Sequence, residues 1–350
     1  MLAAVNIFSR ILINLAILYM RFILNLRGLR MQNRTVIIAV ALVVIVVVAA
    51  SLAGFYYINQ PSATVPVQTT STSPTSPPAT IQVVAGENFW GSLISQLGGT
   101  HTQVLSIVTD PNADPHEYES NSADAQAIAN ANFVIVNGAG YDDWALKLIA
   151  ASNTPNQKVL NVADLLGKKQ GDNPHFWYSP TYVNETVKAM YSDLLSIDPA
   201  DTAYYTQQYS ALNSSLGVYN SRISEIRQKF AGTKVASTES IFEYLANATG
   251  LDLISPPAFM EAVAEGNDPP AQSVVQFQQQ IQSGNVSVLV YNAQTVTPLT
   301  QNIKAMAAAK GIPIVAVTET IQPPDVSFQV WMNAELISLQ NALNAQALGQ

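Results

Sequence analysis

The sequence predicts an α/β protein of two lobes, each built on a parallel sheet, bridged by one long rigid helix. Short apolar strands alternate with helical stretches in two separate parts of the chain, 81–197 and 232–350. That order produces a parallel sheet covered by helices. A single apolar stripe at helical spacing, from Leu212 to Phe230, marks the interval 198–231 as one helix. An apolar run and a segment rich in Ser, Thr and Pro precede the lobes.

The first 80 residues contain five arginines and no acidic residue, and they include an uncharged, mostly apolar run from Val36 to Ile58. A run of that length can cross a bilayer as a helix, and the arginines before it place the N-terminus in the cytoplasm. We therefore expect a transmembrane anchor at 36–58 and a location at the cell membrane, with the folded body outside the cytoplasm. A signal peptide cleaved near Ala49–Ser51 is the alternative. Residues 1–35 are either a cytoplasmic segment or a mis-assigned one, and the first 30 residues either lie upstream of a true start at Met31 or form an extra membrane-associated helix.

Residues 59–80 form a polar linker whose Ser, Thr and Pro cannot bury a core, so they tether the body to the anchor. Beyond residue 80 there are 11 basic and 24 acidic residues, and a body that acidic argues against nucleic acid as a partner. The chain has no cysteine, which excludes disulfides, thiolate metal sites and cysteine nucleophiles.

The elements of each lobe follow from alternating apolar and helical segments. In the N-terminal lobe, 81–197, we expect strands at 81–85, 103–108 and 133–137 and helices at 89–97 and 122–131. In the C-terminal lobe, 232–350, we expect strands at 233–237, 286–291 and 312–317 and helices at 241–249, 273–283 and 297–310.

The interval between the lobes carries the signals of one continuous helix. Asp198-Pro199 offers a cap residue followed by proline at the first helical position. The apolar stripe then runs at spacings of four and three through Leu212, Leu216, Tyr219, Ile223, Ile226 and Phe230. A helix of about 30 residues spans roughly 45 Å, so this one is expected to bridge the two lobes.

Two of the three histidines stand in the same local frame, Asp114-Pro115-His116 and Asn173-Pro174-His175. Proline fixes its own φ and pushes the residue before it toward an extended conformation, so each imidazole follows a stiff turn. Two imidazoles presented in this way are candidate ligands for a transition metal. The alternative is that each histidine caps a turn or satisfies a hydrogen bond in the core.

Four motifs, taken together, resemble the solute-binding proteins of zinc/manganese-type metal ABC importers, over about residues 81–345. They are ENFW at 87–90, DPNADPHEYE at 110–119, NGAGYDDW at 137–144 and NPHFWYSP at 173–180. The resemblance implies a metal site in the cleft between two lobes. It also implies that His116 and His175 are the two ligands from the N-terminal lobe.

The resemblance also implies two ligands from the C-terminal lobe. One stands three residues before a Phe-x-Tyr on the first helix of that lobe, which here is Glu239. The other is an Asp after the last strand in a Thr-Asp-Ser setting, where this chain has Thr-Glu-Thr with Glu319 at the centre. Asp325 is the alternative to Glu319 if the loop 321–324 folds inward. The expected site therefore has two imidazoles and two carboxylates.

The function implied by the resemblance is that of a monomeric, membrane-anchored, extracytoplasmic receptor rather than an enzyme. It would capture Mn²⁺ or Zn²⁺ in the cleft and deliver the ion to the permease of an ABC importer. Two imidazoles and two carboxylates suit Mn²⁺ or Fe²⁺ better than three imidazoles do, yet Zn²⁺ binds most nitrogen and oxygen sites more tightly than Mn²⁺. The metal therefore stays open between Mn²⁺ and Zn²⁺.

Two other functions stay open as alternatives. A metal-dependent hydrolase would need an open coordination position and a general base. A receptor for haem or another metal chelate could use the same two-lobed architecture, but then neither His116 nor His175 would be a ligand.

Overall fold

The computed structural model describes residues 80–110 and 115–348. The segment 1–35, the anchor expected at 36–58 and the linker up to residue 79 lie outside the described residues. Within the described part, none of the helices combines the length and the apolar character needed to cross a membrane.

Two parallel sheets of four strands each organise the described chain. The strands are β1 (Ile81–Glu87), β2 (Thr102–Val108), β3 (Phe133–Val136), β4 (Lys158–Asn161), β5 (Lys234–Ser237), β6 (Asp252–Leu253), β7 (Val288–Asn292) and β8 (Ile314–Val317). The strand order is β2-β1-β3-β4 in the first sheet and β6-β5-β7-β8 in the second. All these pairings are parallel, which confirms the predicted α/β class with two parallel sheets. Strand β3 is buried along its whole length, as expected for a strand covered on both faces.

Helices surround the sheets and connect successive strands. They are α1 (Asn88–Gly98), α2 (Ser122–Asn130), α3 (Asp143–Ser152), α4 (Val162–Leu165), α5 (Pro180–Ile197), α6 (Thr202–Phe230), α7 (Glu243–Thr249), α8 (Pro257–Ala264), α9 (Ala271–Gln282), α10 (Pro298–Ala309) and α11 (Phe328–Leu348). Side-chain caps fix several helix starts. Asn121 and Asp124 form a capping box on α2, and Thr297 and Thr300 form one on α10.

Helix α6 is the long helix expected between the lobes, but it begins later than Asp198-Pro199 suggested. The Asp198 carboxylate accepts a hydrogen bond from the Tyr205 hydroxyl (3.0 Å) instead of capping the backbone. Residues Pro199–Asp201 consequently form a 3₁₀ turn, and the α-helix starts at Thr202. All six residues of the predicted stripe are buried.

Both lobes pack against α6, with α1 and α5 on the N-terminal side and α7 and α11 on the C-terminal side. One contiguous set of buried apolar side chains runs from Val83 and Trp90 in the first lobe to Val317 and Trp331 in the second. Because the lobes share a core along this helix, their relative position is held by apolar packing as well as by chain connectivity.

The carboxyl ends of the strands carry buried polar residues. Asn137 follows β3, Glu239 follows β5, Asn292 ends β7 and Glu319 follows β8, and all four are at most 1% exposed. Ligands of open α/β sheets bind at this edge, and the two candidate ligands of the second lobe, Glu239 and Glu319, lie here.

Candidate metal centre

Three of the four expected ligands converge where the lobes meet. The Nε2 atom of His116 lies 3.4 Å from Oε2 of Glu319, and Nε2 of His175 lies 3.9 Å from the same oxygen. Ligand atoms of these three side chains are all within 4.8 Å of one another. Two atoms bound to one tetrahedral ion at about 2.1 Å are roughly 3.4 Å apart. The observed spacings therefore fit a single transition-metal ion between the side chains.

The environment of His175 prepares its Nε2 atom to bind a cation. Its Nδ1 atom lies 2.7 Å from Oδ1 of Asn173, whose Nδ2 group donates to the carbonyl of Ser240 (2.8 Å). An amide oxygen can only accept, so Nδ1 carries the imidazole proton and the Nε2 lone pair points toward Glu319. Burial lowers the pKa of His175 and keeps the ring neutral, although Glu319 opposes that shift. A lone pair that faces a carboxylate oxygen favours a cation between the two atoms.

Glu319 is fully buried and provides the anionic oxygen of the cluster. Oε2 accepts a hydrogen bond from the Tyr141 hydroxyl (2.6 Å), and Oε1 accepts one from Nδ2 of Asn292 (2.7 Å). Burial alone would raise the pKa of Glu319, but the imidazoles of His116 and His175 and the Tyr141 hydroxyl lower it to about 2. The carboxylate is therefore ionised at neutral pH.

Glu239 lies next to the cluster rather than within it. Its side chain is fully buried after β5, and Oε1 accepts a hydrogen bond from Nδ2 of Asn292 at 2.5 Å. The group of ligand atoms that could surround one ion contains His116, His175 and Glu319 but not Glu239. Asp325, the alternative to Glu319, is exposed in the loop that follows. The geometry thus favours Glu319 over Asp325 and places Glu239 two hydrogen bonds away from Glu319, across Asn292.

Sequence comparison assigns the chain to a family. The family profile described as zinc-uptake complex component A, periplasmic (ZnuA), matches residues 83–342, about three quarters of the chain. The chain belongs to this family. The resemblance to zinc/manganese-type solute-binding proteins is thereby confirmed for most of the described region.

Individual relatives of this ZnuA-family chain are distant. It is 26% identical over 186 residues to manganese-binding lipoprotein MntA of Halalkalibacterium halodurans, an alignment that covers 50% of this chain and 59% of the relative. The fold is similar to that of the periplasmic zinc-binding protein TroA from Treponema pallidum, with a TM-score of 0.64 at 14% identity, over 76% and 99% of the two chains. A structure of FpvC from Pseudomonas aeruginosa in complex with Mn²⁺ gives a TM-score of 0.63 at 19% identity, over 76% and 99%. The chain thus spans less than two thirds of the MntA length.

The loop that presents Tyr141 in this ZnuA-family chain is held by a buried carboxylate. Asp142 accepts hydrogen bonds from the backbone N–H groups of Asn137 (2.6 Å) and Gly138 (2.7 Å). Burial raises the pKa of Asp142 to about 6, while those two N–H groups favour its ionised form. Burial, reinforced by the Asp142 charge, raises the pKa of neighbouring Glu87 well above its usual range. A neutral Glu87 beside an ionised Asp142 lets the pair share one proton and keeps the loop fixed.

Sequence reasoning did not assign a role to Tyr141 or to Asn292. Tyr141 stood inside the motif at 137–144, but a tyrosine is rarely a ligand and gave no chemical signal of its own. Asn292 comes directly after the strand expected at 286–291. Its place at the carboxyl end of a parallel strand was the one signal that could have identified it.

His101 lies apart from the centre. Its Nδ1 atom is 2.8 Å from Oδ2 of Asp201, and its ring stacks on Tyr204 with centroids 4.0 Å apart. Asp198 lies close enough to complete a further group of possible cation ligands. The ion pair and the stacking tie the end of α1 to the start of α6, which accounts for His101 structurally.

Proposed function

We propose that the chain is an extracytoplasmic receptor that binds one Zn²⁺ or Mn²⁺ ion between its lobes and delivers the ion to the permease of an ABC importer. The proposed ligands are His116 and His175 from the first lobe and Glu239 and Glu319 from the second. The observation that supports this most directly is the convergence of two imidazole Nε2 atoms on the buried, ionised Glu319 carboxylate.

The distribution of the ligands supports capture and release rather than catalysis. The four proposed side chains would supply four donors, enough to fill a tetrahedral shell around Zn²⁺, with Glu239 joining the three that converge in the structure. A hydrolase needs one coordination position open for water. Because each lobe holds only half of the donors, a loop-scale displacement of one half would be enough to release the ion.

The attachment to the membrane is also a proposal, and it rests on the sequence. MntA, the relative named above, is a lipoprotein by name, whereas this chain has no cysteine to which a lipid could be attached. A transmembrane helix at 36–58, followed by the linker at 59–80, would hold the body near a permease in the same way. We propose that the body works as a monomer.

Metal binding to the full-length chain tests the function. Equilibrium dialysis against Zn²⁺ and Mn²⁺ is expected to give about one ion per chain with sub-micromolar affinity. His116→Ala and His175→Ala should each lower the affinity for the metal ion. Removal of a group that only supports a metal ligand lowers affinity ~10–100-fold, so loss of a ligand itself should cost at least as much. His101→Ala is the matched control, because it removes a histidine that lies apart from the centre. The proposal fails if both ligand variants bind metal as tightly as the parent.

A further inference from the structure

We propose that Asn292 sets the metal preference of the centre by holding both carboxylates monodentate, which favours four-coordinate Zn²⁺ over Mn²⁺. This inference rests on the proposed function, since it concerns the same site and the same ligands.

The sheet topology places Asn292 between the two acidic residues. Asn292 is the last residue of β7, and β7 lies between β5 and β8 in the second sheet. Glu239 follows β5 and Glu319 follows β8, so both carboxylates approach the asparagine side chain from the flanking strands. Its Nδ2 atom is 2.5 Å from Oε1 of Glu239 and 2.7 Å from Oε1 of Glu319.

The orientation of the Asn292 amide is fixed by its other contacts. Oδ1 accepts a hydrogen bond from the backbone N–H of Gln294 (2.9 Å), and the side chain is 1% exposed. Because Oδ1 accepts from Gln294, the amino group is the part of the amide that faces the two glutamate side chains. The amino group has two hydrogens and three neighbouring acceptors, and the two carboxylate oxygens, at 2.5 and 2.7 Å, lie closer than the Thr295 hydroxyl at 3.0 Å, so each carboxylate receives one hydrogen.

Each carboxylate consequently has one oxygen engaged by Asn292. For Glu319 the engaged atom is Oε1, while Oε2 faces the imidazoles of His116 and His175. If Glu239 is held in the same manner, each glutamate offers a single oxygen to the ion. Two imidazole nitrogens and two such oxygens make four donors, the number that Zn²⁺ takes in tetrahedral protein sites. Mn²⁺ prefers an octahedral, oxygen-rich shell, which this site could supply only by letting a carboxylate bind through both oxygens.

Coordination number and selectivity in the full-length chain test the inference. Co²⁺ bound in place of Zn²⁺ reports the geometry, because its visible bands are far more intense in a tetrahedral than in an octahedral site. X-ray absorption of the Zn²⁺-loaded parent gives the number of donors without any substitution. The variants are Asn292→Leu, which keeps the branching pattern of the side chain but has no donor, and Asn292→Ala. Asn161→Ala is the matched control, since Asn161 also ends a strand but caps a helix in the other lobe (3.4 Å to the Asp164 N–H).

The parent is expected to show four donors and intense Co²⁺ bands. Loss of the amide should lower the Zn²⁺ affinity by about 10–100-fold and the Mn²⁺ affinity by much less. The ratio of the Zn²⁺ affinity to the Mn²⁺ affinity should therefore fall at least about tenfold. The Co²⁺ bands of the variants should also weaken. Circular dichroism checks that the variants are folded. A parent with five or six donors, or folded variants with unchanged bands and an unchanged ratio, would overturn the role of Asn292 while leaving the receptor function intact. A parent that binds neither ion would instead overturn the proposed function, and the inference with it.

Discussion

Glu335 on α11 is expected to be protonated at neutral pH, because the Tyr178 hydroxyl beside it has too few hydrogens to satisfy both of its oxygen neighbours. The hydroxyl of Tyr178 lies 2.8 Å from the carbonyl oxygen of Thr318 and 2.7 Å from Oε2 of Glu335. A hydroxyl has one hydrogen, so it cannot donate to both oxygens. If it donates to the carbonyl, the short contact with Glu335 requires a proton on the carboxyl group. Burial raises the pKa of Glu335 to about 8, although the hydrogen bonds that the carboxyl group accepts act in the opposite direction. A pKa of about 8 agrees with a protonated Glu335 at neutral pH.

The protonation of Glu335 makes stability depend on pH in a definite direction. An ordinary glutamate has a pKa of 4.5, so between that pH and about 8 the folded chain keeps a proton that the unfolded chain has lost. The free energy of unfolding therefore falls as pH rises, by about 1.4 kcal/mol per pH unit for one proton. Glu335→Gln removes this dependence, because a glutamine amide is neutral at every pH. Its oxygen can accept from the Thr318 N–H and its amino group can donate to Tyr178.

Urea unfolding followed by tryptophan fluorescence checks this prediction, with Trp331 packed near the site as a reporter. Between pH 5.5 and 7.5 the difference in unfolding free energy between the parent and Glu335→Gln is expected to change by about 2 to 3 kcal/mol, in favour of the variant at the higher pH. Glu225→Gln, at an exposed position on α6, is the control and should follow the parent. Parallel profiles for the parent and Glu335→Gln would refute the reasoning.

Three further predictions concern the centre and the fold. Tyr141→Phe removes a 2.6 Å hydrogen bond to the ionised Glu319, so metal affinity measured by competition should fall about tenfold or more, as expected for a bond of ~1.5–3 kcal/mol to a charged group. Gly138→Ala should destabilise the chain more than Gly167→Ala in chemical denaturation. Both glycines have positive φ, but a Cβ at Gly138 meets neighbouring atoms at 2.1 Å, whereas Gly167 has open space. Hydrogen exchange on metal binding should show loop-scale changes near the site, since the lobes share a core along α6, and a large reorientation of the lobes would contradict that.

Periodicity in the sequence predicted most of the fold. Each strand that carries a continuous apolar run was predicted, because apolar runs of that length are what a buried parallel sheet requires. The stripe from Leu212 to Phe230 predicted α6, because its spacing matches the turn of a helix. The edge strands β4 and β6 were not predicted. Strand β6 has only two residues, Asp252 and Leu253, and its pairing depends on the neighbouring strand β5 rather than on its own sequence.

The centre was predictable only in part. His116 and His175 carried a signal of their own because histidine is scarce and both follow a proline. Glu239 and Glu319 came from the family resemblance, since a glutamate after a strand has no distinctive pattern. The role of Asn292 could not be predicted from the sequence, because it depends on the order β5-β7-β8 within the sheet, and strand order is a tertiary property.

The charges and spacings of the centre together narrow the kind of ligand it can bind. The first lobe contributes two imidazoles, of which His175 is kept neutral by burial, and the second contributes the buried, ionised carboxylate of Glu319, so the cluster carries negative charge and favours a cation. Spacings of 3.4 and 3.9 Å between the imidazole nitrogens and Oε2 of Glu319 leave room for one ion. A porphyrin or another large chelate would need these three side chains to move apart, although two of them are completely buried. Charge thus favours a cation and the short distances favour a single ion over a chelate, while the proposed role of Asn292 is to discriminate among divalent ions.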